Sequence, residues 1–252
     1  MIFDANMSYG PVYIPTISPC RTPSDLIEAM DWVGIDRALV TADMIRNGCP
    51  SEMNVHVARE LADIERLEPL WAILPLDTGE LGTSDEFVAS MKEHRIRALT
   101  ALPSQHRFLL DRVACGGILD MMVDLGIPLL LPLSESSGGR SGWALVGEVL
   151  RETPGLKVIA LGSGPWGEDR QFRPLMREYE TLYLETSRYE LDGGIAELRE
   201  MFGAERLIYG SGYPESTTGG PLLTAMHADI PREDADLILG GNLESILEEV
   251  KL

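Results

Sequence analysis

Short apolar runs recur along the chain, and each ends in small or polar residues. Eight of them, at 2–5, 37–41, 70–74, 96–100, 128–131, 157–161, 182–185 and 206–209, have the length and composition of buried strands. Between them, apolar residues fall three and four apart, the spacing of amphipathic helices. Thr22-Pro23-Ser24-Asp25 opens the first helix: Thr22 caps, Pro23 suits the first position, and Asp25 favours the positive end. Leu26, Ile27, Met30 and Val33 form its stripe, and Gly34 stops it. Ser51 opens the next, with Val55, Ala58, Ala62 and Ile64 on one side, and Ser84 caps a shorter one bearing Phe87, Val88 and Met91. Ile118, Met121, Met122 and Leu125 make a stripe ended by Gly126. Helical patterns follow at 143–152, 195–202, 222–226, 232–239 and 243–250.

Strands alternating with helices in this way predict a closed (β/α)8 TIM barrel, as a single domain over 1–252, in preference to a doubly wound sheet. In such a barrel, chemistry is expected where the strands end. The loops there are polar. The one after the second run carries Asp43, Arg46, Asn47 and Cys49; the fourth is followed by Pro103-Ser104-Gln105-His106-Arg107-Phe108. The fifth is followed by a segment, 134–140, with the composition of a mobile surface loop.

Charge narrows the partners. With 21 basic and 40 acidic residues, the formal net charge is -19, which opposes non-specific nucleic-acid binding and anionic membranes. No basic stretch leads into an apolar segment at the start, and the longest apolar run, 127–133, is far too short to cross a bilayer. Cys20, Cys49 and Cys115 are scattered and form no CxxC pair. Reduced thiols and a cytoplasmic location are the expectation.

Three stretches carry a family resemblance: Lys157-Val158-Ile159-Ala160-Leu161-Gly162-Ser163-Gly164, Arg206-Leu207-Ile208-Tyr209-Gly210-Ser211-Gly212-Tyr213-Pro214, and Gly240-Gly241-Asn242-Leu243. Asn54 with Ala58 fits a further recurring helix. Together they make the chain resemble the amidohydrolase-related family, metal-dependent TIM-barrel hydrolases and decarboxylases, over nearly its whole length. The resemblance implies two metal-binding histidines at the end of strand one, one each on strands five and six, and an aspartate on strand eight. Those positions fall on Asn6, Ser8, Pro132, Gly162 and Gly212. Proline and glycine have no side-chain ligand atom, and asparagine and serine are weak ligands beside histidine and carboxylate. The resemblance therefore implies the scaffold and argues against its metal chemistry, and no metal or other cofactor is expected.

The remaining candidates are read from their places. His56 and His94 sit in helical patterns and His227 follows a late helix, so packing or solvation accounts for them. His106 lies in a strand-end loop and is a candidate general base. Asp4, Asp43, Glu135, Glu185 and Glu215 follow or end strands, and a relocated oxygen-rich metal site with His106 remains an alternative. Ser163 between Gly162 and Gly164 can present backbone N–H groups to an anion. Arg188 and Arg107 can hold a carboxylate, and Trp166, Tyr213 and Trp143 can supply walls. Gly210-Ser211-Gly212 lacks the frame of a nucleophile elbow, and Cys49 has no histidine beside it in sequence.

Two functional readings follow. In the first, the barrel lacks the usual metal site and binds a small molecule or anion at its C-terminal face, with Asn6, Ser8, Glu135, Ser163, Trp166, Arg188, Ser211 and Tyr213 as pocket residues. In the second, it is a hydrolase or lyase for a small carboxylated or cyclic compound, working through a relocated site in which His106, Glu185 and Asp43 are the candidate catalytic groups and Arg188 the anchor. A purely structural module is a third. A homodimer is expected in each case. The geometric test is whether Asn6, Ser8, Pro132, Gly162 and Gly212 converge, with water or a small anion held by Asn6, Ser8 and His106.

Overall fold

The computed structural model describes residues 1–11, 19–164 and 167–252. Eight barrel strands are present in it. The first is Phe3–Tyr9 and the second Arg37–Ala42; the third comes in two pieces, Leu67–Pro69 and Trp71–Ala72. The fourth to eighth are Leu99–Thr100, Leu129–Pro132, Val158–Leu161, Leu182–Glu185 and Leu207–Ile208. All neighbouring pairs between them are parallel. The ring closes at two seams. Leu70 N–H donates to Val40 O (2.9 Å) and Ile73 N–H to Thr100 O (2.9 Å), joining the two pieces of strand three to both flanks. Ala5 N–H donates to Tyr209 O (3.0 Å), Ser8 N–H to Tyr213 O (2.8 Å) and Gly212 N–H to Asn6 O (2.9 Å), joining strand eight to strand one. A (β/α)8 TIM barrel results.

Side-chain parity explains the layers. Phe3, Ala5, Leu39, Leu70, Ala98, Leu130, Ile159, Leu161 and Ile208 pack into one cluster inside the ring. Their strand neighbours Ala38, Val40, Leu129, Leu131, Val158 and Ala160 face the surrounding helices. The inner cluster also contains Leu243, Ile246 and Leu247 of helix Asn242–Glu248. Arg37, at the start of strand two, pairs with Glu244 of that helix and with Glu68, and Arg97 bonds Glu68 at 2.7 Å. The last helix therefore plugs the end where strands begin. The opposite end, where they finish, is left for polar residues.

Several boundaries differ from those read off the pattern. Strand one continues to Tyr9, because Met7 and Tyr9 bury against the helical layer. A short helix, Asp43–Asn47, precedes helix Pro50–Leu61, so Pro50 rather than Ser51 opens the latter. Thr83, not Ser84, caps helix Ser84–His94: its Oγ1 accepts from Glu86 N–H (3.3 Å), and the Glu86 carboxylate accepts from Thr83 N–H (2.8 Å). The first helix, Pro23–Val33, has the expected cap at Thr22 and a left-handed Gly34 at its end. In place of an open loop after strand five, Ser136–Ser137 pairs antiparallel with Arg140–Ser141. Among the described residues, no helix is long and apolar enough to cross a membrane.

Candidate functional site

The strand ends form a rim laced by side chains. Glu185 ends strand seven and is fully buried. Its Oε2 accepts from Gly162 N–H (2.8 Å) at the end of strand six and from Ser187 Oγ–H (2.9 Å), and its Oε1 accepts from Ser187 N–H (2.7 Å). Asp4 is also fully buried. Its Oδ1 accepts from Asn6 N–H (2.8 Å) and from Ser211 N–H (3.0 Å), joining strands one and eight. Among the described residues its Oδ2, the Tyr209 hydroxyl and the Thr186 hydroxyl are buried without a partner.

Burial dominates the electrostatics here. Desolvation raises the Glu185 carboxyl to about 7 and the Asp4 carboxyl to about 6 against the hydrogen bonds that favour their charged forms; the charge of Asp4 adds to the rise at Glu185. The Tyr209 phenol is pushed far up by burial and by both carboxylates. A buried pair of carboxyls poised near neutrality is the electrostatic centre of the rim.

The other candidates lie around this centre. Asn6 and Gly212 meet at the strand one–eight seam through their backbones, and Ser8 is one pleat further along it. Ser211 is fully buried, and its Oγ accepts from Tyr213 N–H (3.1 Å). Arg188 is exposed, and its Cδ lies 3.8 Å from where a Gly162 side chain would begin. Its guanidinium has no carboxylate partner among the described residues. Gly212 faces Ser187, whose Oγ is 3.6 Å from the corresponding point. Pro132 pairs in register with Leu161, the residue before Gly162. The five positions at which the resemblance implies ligands thus lie at one end of the barrel.

Other candidates are engaged elsewhere on the rim. His106 ends the short helix Pro103–His106; its Nε2 donates to Ile45 O (2.9 Å), and its buried Nδ1 has no partner among the described residues. That bond runs to the segment after strand two, not to Asn6 or Ser8. Asp43 opens helix Asp43–Asn47 and accepts from Asn47 Nδ2 (3.2 Å), with its pKa raised by burial. Glu135 is buried and accepts from Ser104 N–H (2.8 Å) and the Ser104 hydroxyl, tying the loop after strand four to that after strand five. Ser163 Oγ–H donates to Glu168 (3.3 Å), as does Trp143 Nε1–H (2.9 Å), and Trp143 packs on Phe172 in the helical layer. Tyr213 is half-buried and packs against the cluster that holds Leu26 and Met30 of the first helix; burial, with the charges of Cys20, Asp25 and Glu28, raises its pKa. Trp166 lies outside the described residues. Glu215 pairs with Arg46 at 2.7 Å.

The pattern reading did not find Ser187 or Tyr209. Ser187 stands two residues after Glu185, a spacing at which a side chain can cap its own turn; that was the available signal. Tyr209 gave none, since it reads as one more apolar strand residue.

The donor set at the five ligand positions is poor in ligand atoms. Two of the five also have backbones that side chains resist: Gly162 has φ +81° and Gly212 φ +68°. Among the described residues, no group of three or more His, Cys, Asp and Glu side chains is arranged to hold a metal ion.

The profile of the family described as amidohydrolase matches residues 42–246. No curated protein matches the chain. Among solved structures, 5-carboxyvanillate decarboxylase from Sphingomonas paucimobilis is similar, with TM-score 0.73, 13% identity and 99% of each chain covered. A dihydroxybenzoic acid decarboxylase from a Polaromonas species, determined with bound manganese and the inhibitor 2-nitroresorcinol, has TM-score 0.72 and 13% identity over 98% of this chain and 96% of its own. An uncharacterized TIM-barrel protein from Bordetella bronchiseptica has TM-score 0.68 and 18% identity, with 98% of each chain covered. At these identities the likeness concerns the fold.

Proposed function

The chain belongs to the amidohydrolase family, and on that premise we propose that it is a carbon–carbon lyase or hydrolase for a small carboxylated cyclic compound, acting at the C-terminal mouth of the barrel without the family's metal ligand set. One observation carries this reading: the exposed Arg188 stands over Gly162 at the rim, with no carboxylate partner among the described residues. A guanidinium fork there suits a substrate carboxylate. Structural neighbours named as decarboxylases of carboxylated aromatics support the substrate class.

Asn6, Ser8, Pro132, Gly162 and Gly212 do not fit a divalent cation, both by donor type and by the left-handed backbone of the two glycines. No step is therefore routed through one. Arg188 holds the substrate carboxylate. Glu185, with its carboxyl raised to about 7, is the proton source: when protonated its O–H donates to Ser187 Oγ, 2.9 Å away, and the Ser187 hydroxyl proton, freed from Glu185, passes to the substrate. In the lyase direction, the proton joins the ring carbon as its bond to the carboxylate breaks. Carbon dioxide leaves, and Glu185 recovers its proton from solvent. The chain acts as one barrel domain and as a homodimer.

The test is a panel of hydroxybenzoates and carboxylated lactones, followed by carbon dioxide release and by ring opening, with enzyme prepared without added metal. Arg188→Ala is expected to abolish turnover of the best substrate. Turnover that persists in Arg188→Ala removes this assignment. A second reading, ligand binding without turnover, is favoured by the full burial of Glu185 and the three donors already on its oxygens. Calorimetric binding of a carboxylate with no product formed selects it.

A further inference from the structure

The five altered ligand positions raise a mechanical question. A metal ion whose ligands come from several strands fixes the spacing of their ends. Where those ligands are absent, something else must hold the rim. We propose that Glu185 does so: besides its part in the chemistry it is a positioning residue that ties strand six to the turn after strand seven and packs against strand eight, and the tie fixes Arg188 over Gly162.

The tie reverses the polarity of a metal centre. Side-chain donors do not converge on a cation; backbone and hydroxyl protons converge on a carboxylate, which offers about four acceptor sites. Gly162 N–H comes from strand six, and the two Ser187 donors come from the turn after strand seven. Strand eight contributes by making room. A side chain at Gly210 would begin 2.3 Å from Glu185 Oε1, 2.8 Å from its Cδ and 2.9 Å from its Cγ. Glycine is thus the residue that lets the carboxylate lie against strand eight. The backbone of Gly210 has no positive φ, so crowding by Glu185 is what restricts the position.

The same bonds set Arg188. Both donors of Ser187, the residue before it, are held by Glu185, and Tyr189 N–H closes the turn on Thr186 O at 3.1 Å. The Arg188 stem emerges from this fixed turn and crosses beside Gly162, the residue whose N–H the same carboxylate holds. An amide cannot replace the carboxylate. The N–H groups of Gly162 and Ser187 sit on different oxygens, so a glutamine must turn its NH2 toward one of them, whichever way it is flipped.

Only the role given to Arg188 rests on the function proposed above, and the experiment separates the two. Glu185→Ala, Glu185→Gln, Gly210→Ala and the double variant Glu185→Ala/Gly210→Ala are compared in the full chain. Two readouts are taken: amide hydrogen exchange at Gly162 and Ser187, and calorimetric binding of 2-hydroxybenzoate. Gly210→Ala is expected to expel the carboxylate and to speed exchange at both amides at least tenfold. Glu185→Ala is expected to do the same, and Glu185→Gln to do so at whichever of the two amides its NH2 faces. In the double variant the added methyl enters vacated space, so it is expected to be no worse than Glu185→Ala alone. If a Glu185 variant fails to fold, Ser187→Ala removes a single donor and is expected to speed Gly162 exchange in smaller measure. Unchanged protection in Gly210→Ala, or costs that add in the double variant, overturns the tie. Exchange decides this even if the wild type does not bind 2-hydroxybenzoate, a result that counts against the function alone. If the wild type binds it and Gly210→Ala binds equally, the tie does not position Arg188.

Discussion

Raising the pH from 5 to 8 is expected to destabilise the fold through Glu185 and Asp4. Their folded pKa values, about 7 and about 6, stand above the ordinary 4.5 and 3.8. The folded state therefore binds more protons than the unfolded chain over this interval, so stability falls as pH rises. The contribution is fully present below the ordinary carboxyl range and is lost as pH passes through 6 and 7. Over the whole titration it amounts to about 3 kcal/mol for either group, of which the interval from pH 5 to 8 takes about 2.5 for Glu185 and about 1.5 for Asp4. The pair contributes less than the sum of the two, because the charge of Asp4 is part of what raises Glu185. Capping carboxylates such as Asp25 and Glu86 are lowered, mainly by the backbone N–H groups they accept from. They act in the opposite sense, losing their contribution as pH falls through the acidic range, outside this window. Urea unfolding at pH 5, 6, 7 and 8, with constant ionic strength, measures the slope. Asp4→Asn and Glu185→Gln, each lacking one titrating group, are expected to flatten it. A wild-type stability that is level or rising between pH 5 and 8, or variants with an unaltered slope, would refute the reasoning.

Restoring the family's side chains with Gly162→His and Gly212→Asp is expected to cost about 1 kcal/mol or more at each left-handed position, and calorimetry with manganese is expected to show no tight site. Arg188→Ala is expected to leave the melting temperature unchanged, since the residue is exposed, while weakening 2-hydroxybenzoate binding at least tenfold by calorimetry. Asn54 is buried and bonds both the N–H and the C=O of Ala72, at 2.9 and 2.8 Å; Asn54→Ala is expected to lose about 1–3 kcal/mol in urea unfolding.

Periodicity made the barrel legible because each strand alternates a lumen residue with a helix-facing one, as Leu130 does between Leu129 and Leu131. Gly34 and Gly126 announced helix ends, since a left-handed cap favours glycine. Thr83 was misread because two hydroxyl residues stand side by side, and only the reciprocal bond with Glu86 separates them. At the rim, strand-end position singled out Glu185 and Arg188, but it did not reveal what they touch. The contacts that organise the rim join residues far apart in the chain: Glu185 to Gly162, Ser211 to Asp4, His106 to Ile45. No local spacing encodes those pairs. Gly210 shows the limit most clearly, because its need to be glycine lies in a neighbour's carboxylate and not in its own backbone.

The helix that plugs the strand-start end of the barrel also bears on the order of synthesis. Its Leu243, Ile246 and Leu247 fill the same interior as Phe3 and Ala5, and its Glu244 meets Arg37 across 207 positions of chain. A ribosome therefore delivers the first strand long before it delivers the stopper. Until then the interior facing Phe3 stays open to water, and a nascent barrel offers an apolar mouth to any chaperone or neighbouring chain. Closure waits on contacts of high sequence separation, which fold slowly. Ribosome-stalled chains ending before residue 242 are thus the stage at which holdase binding and aggregation should concentrate.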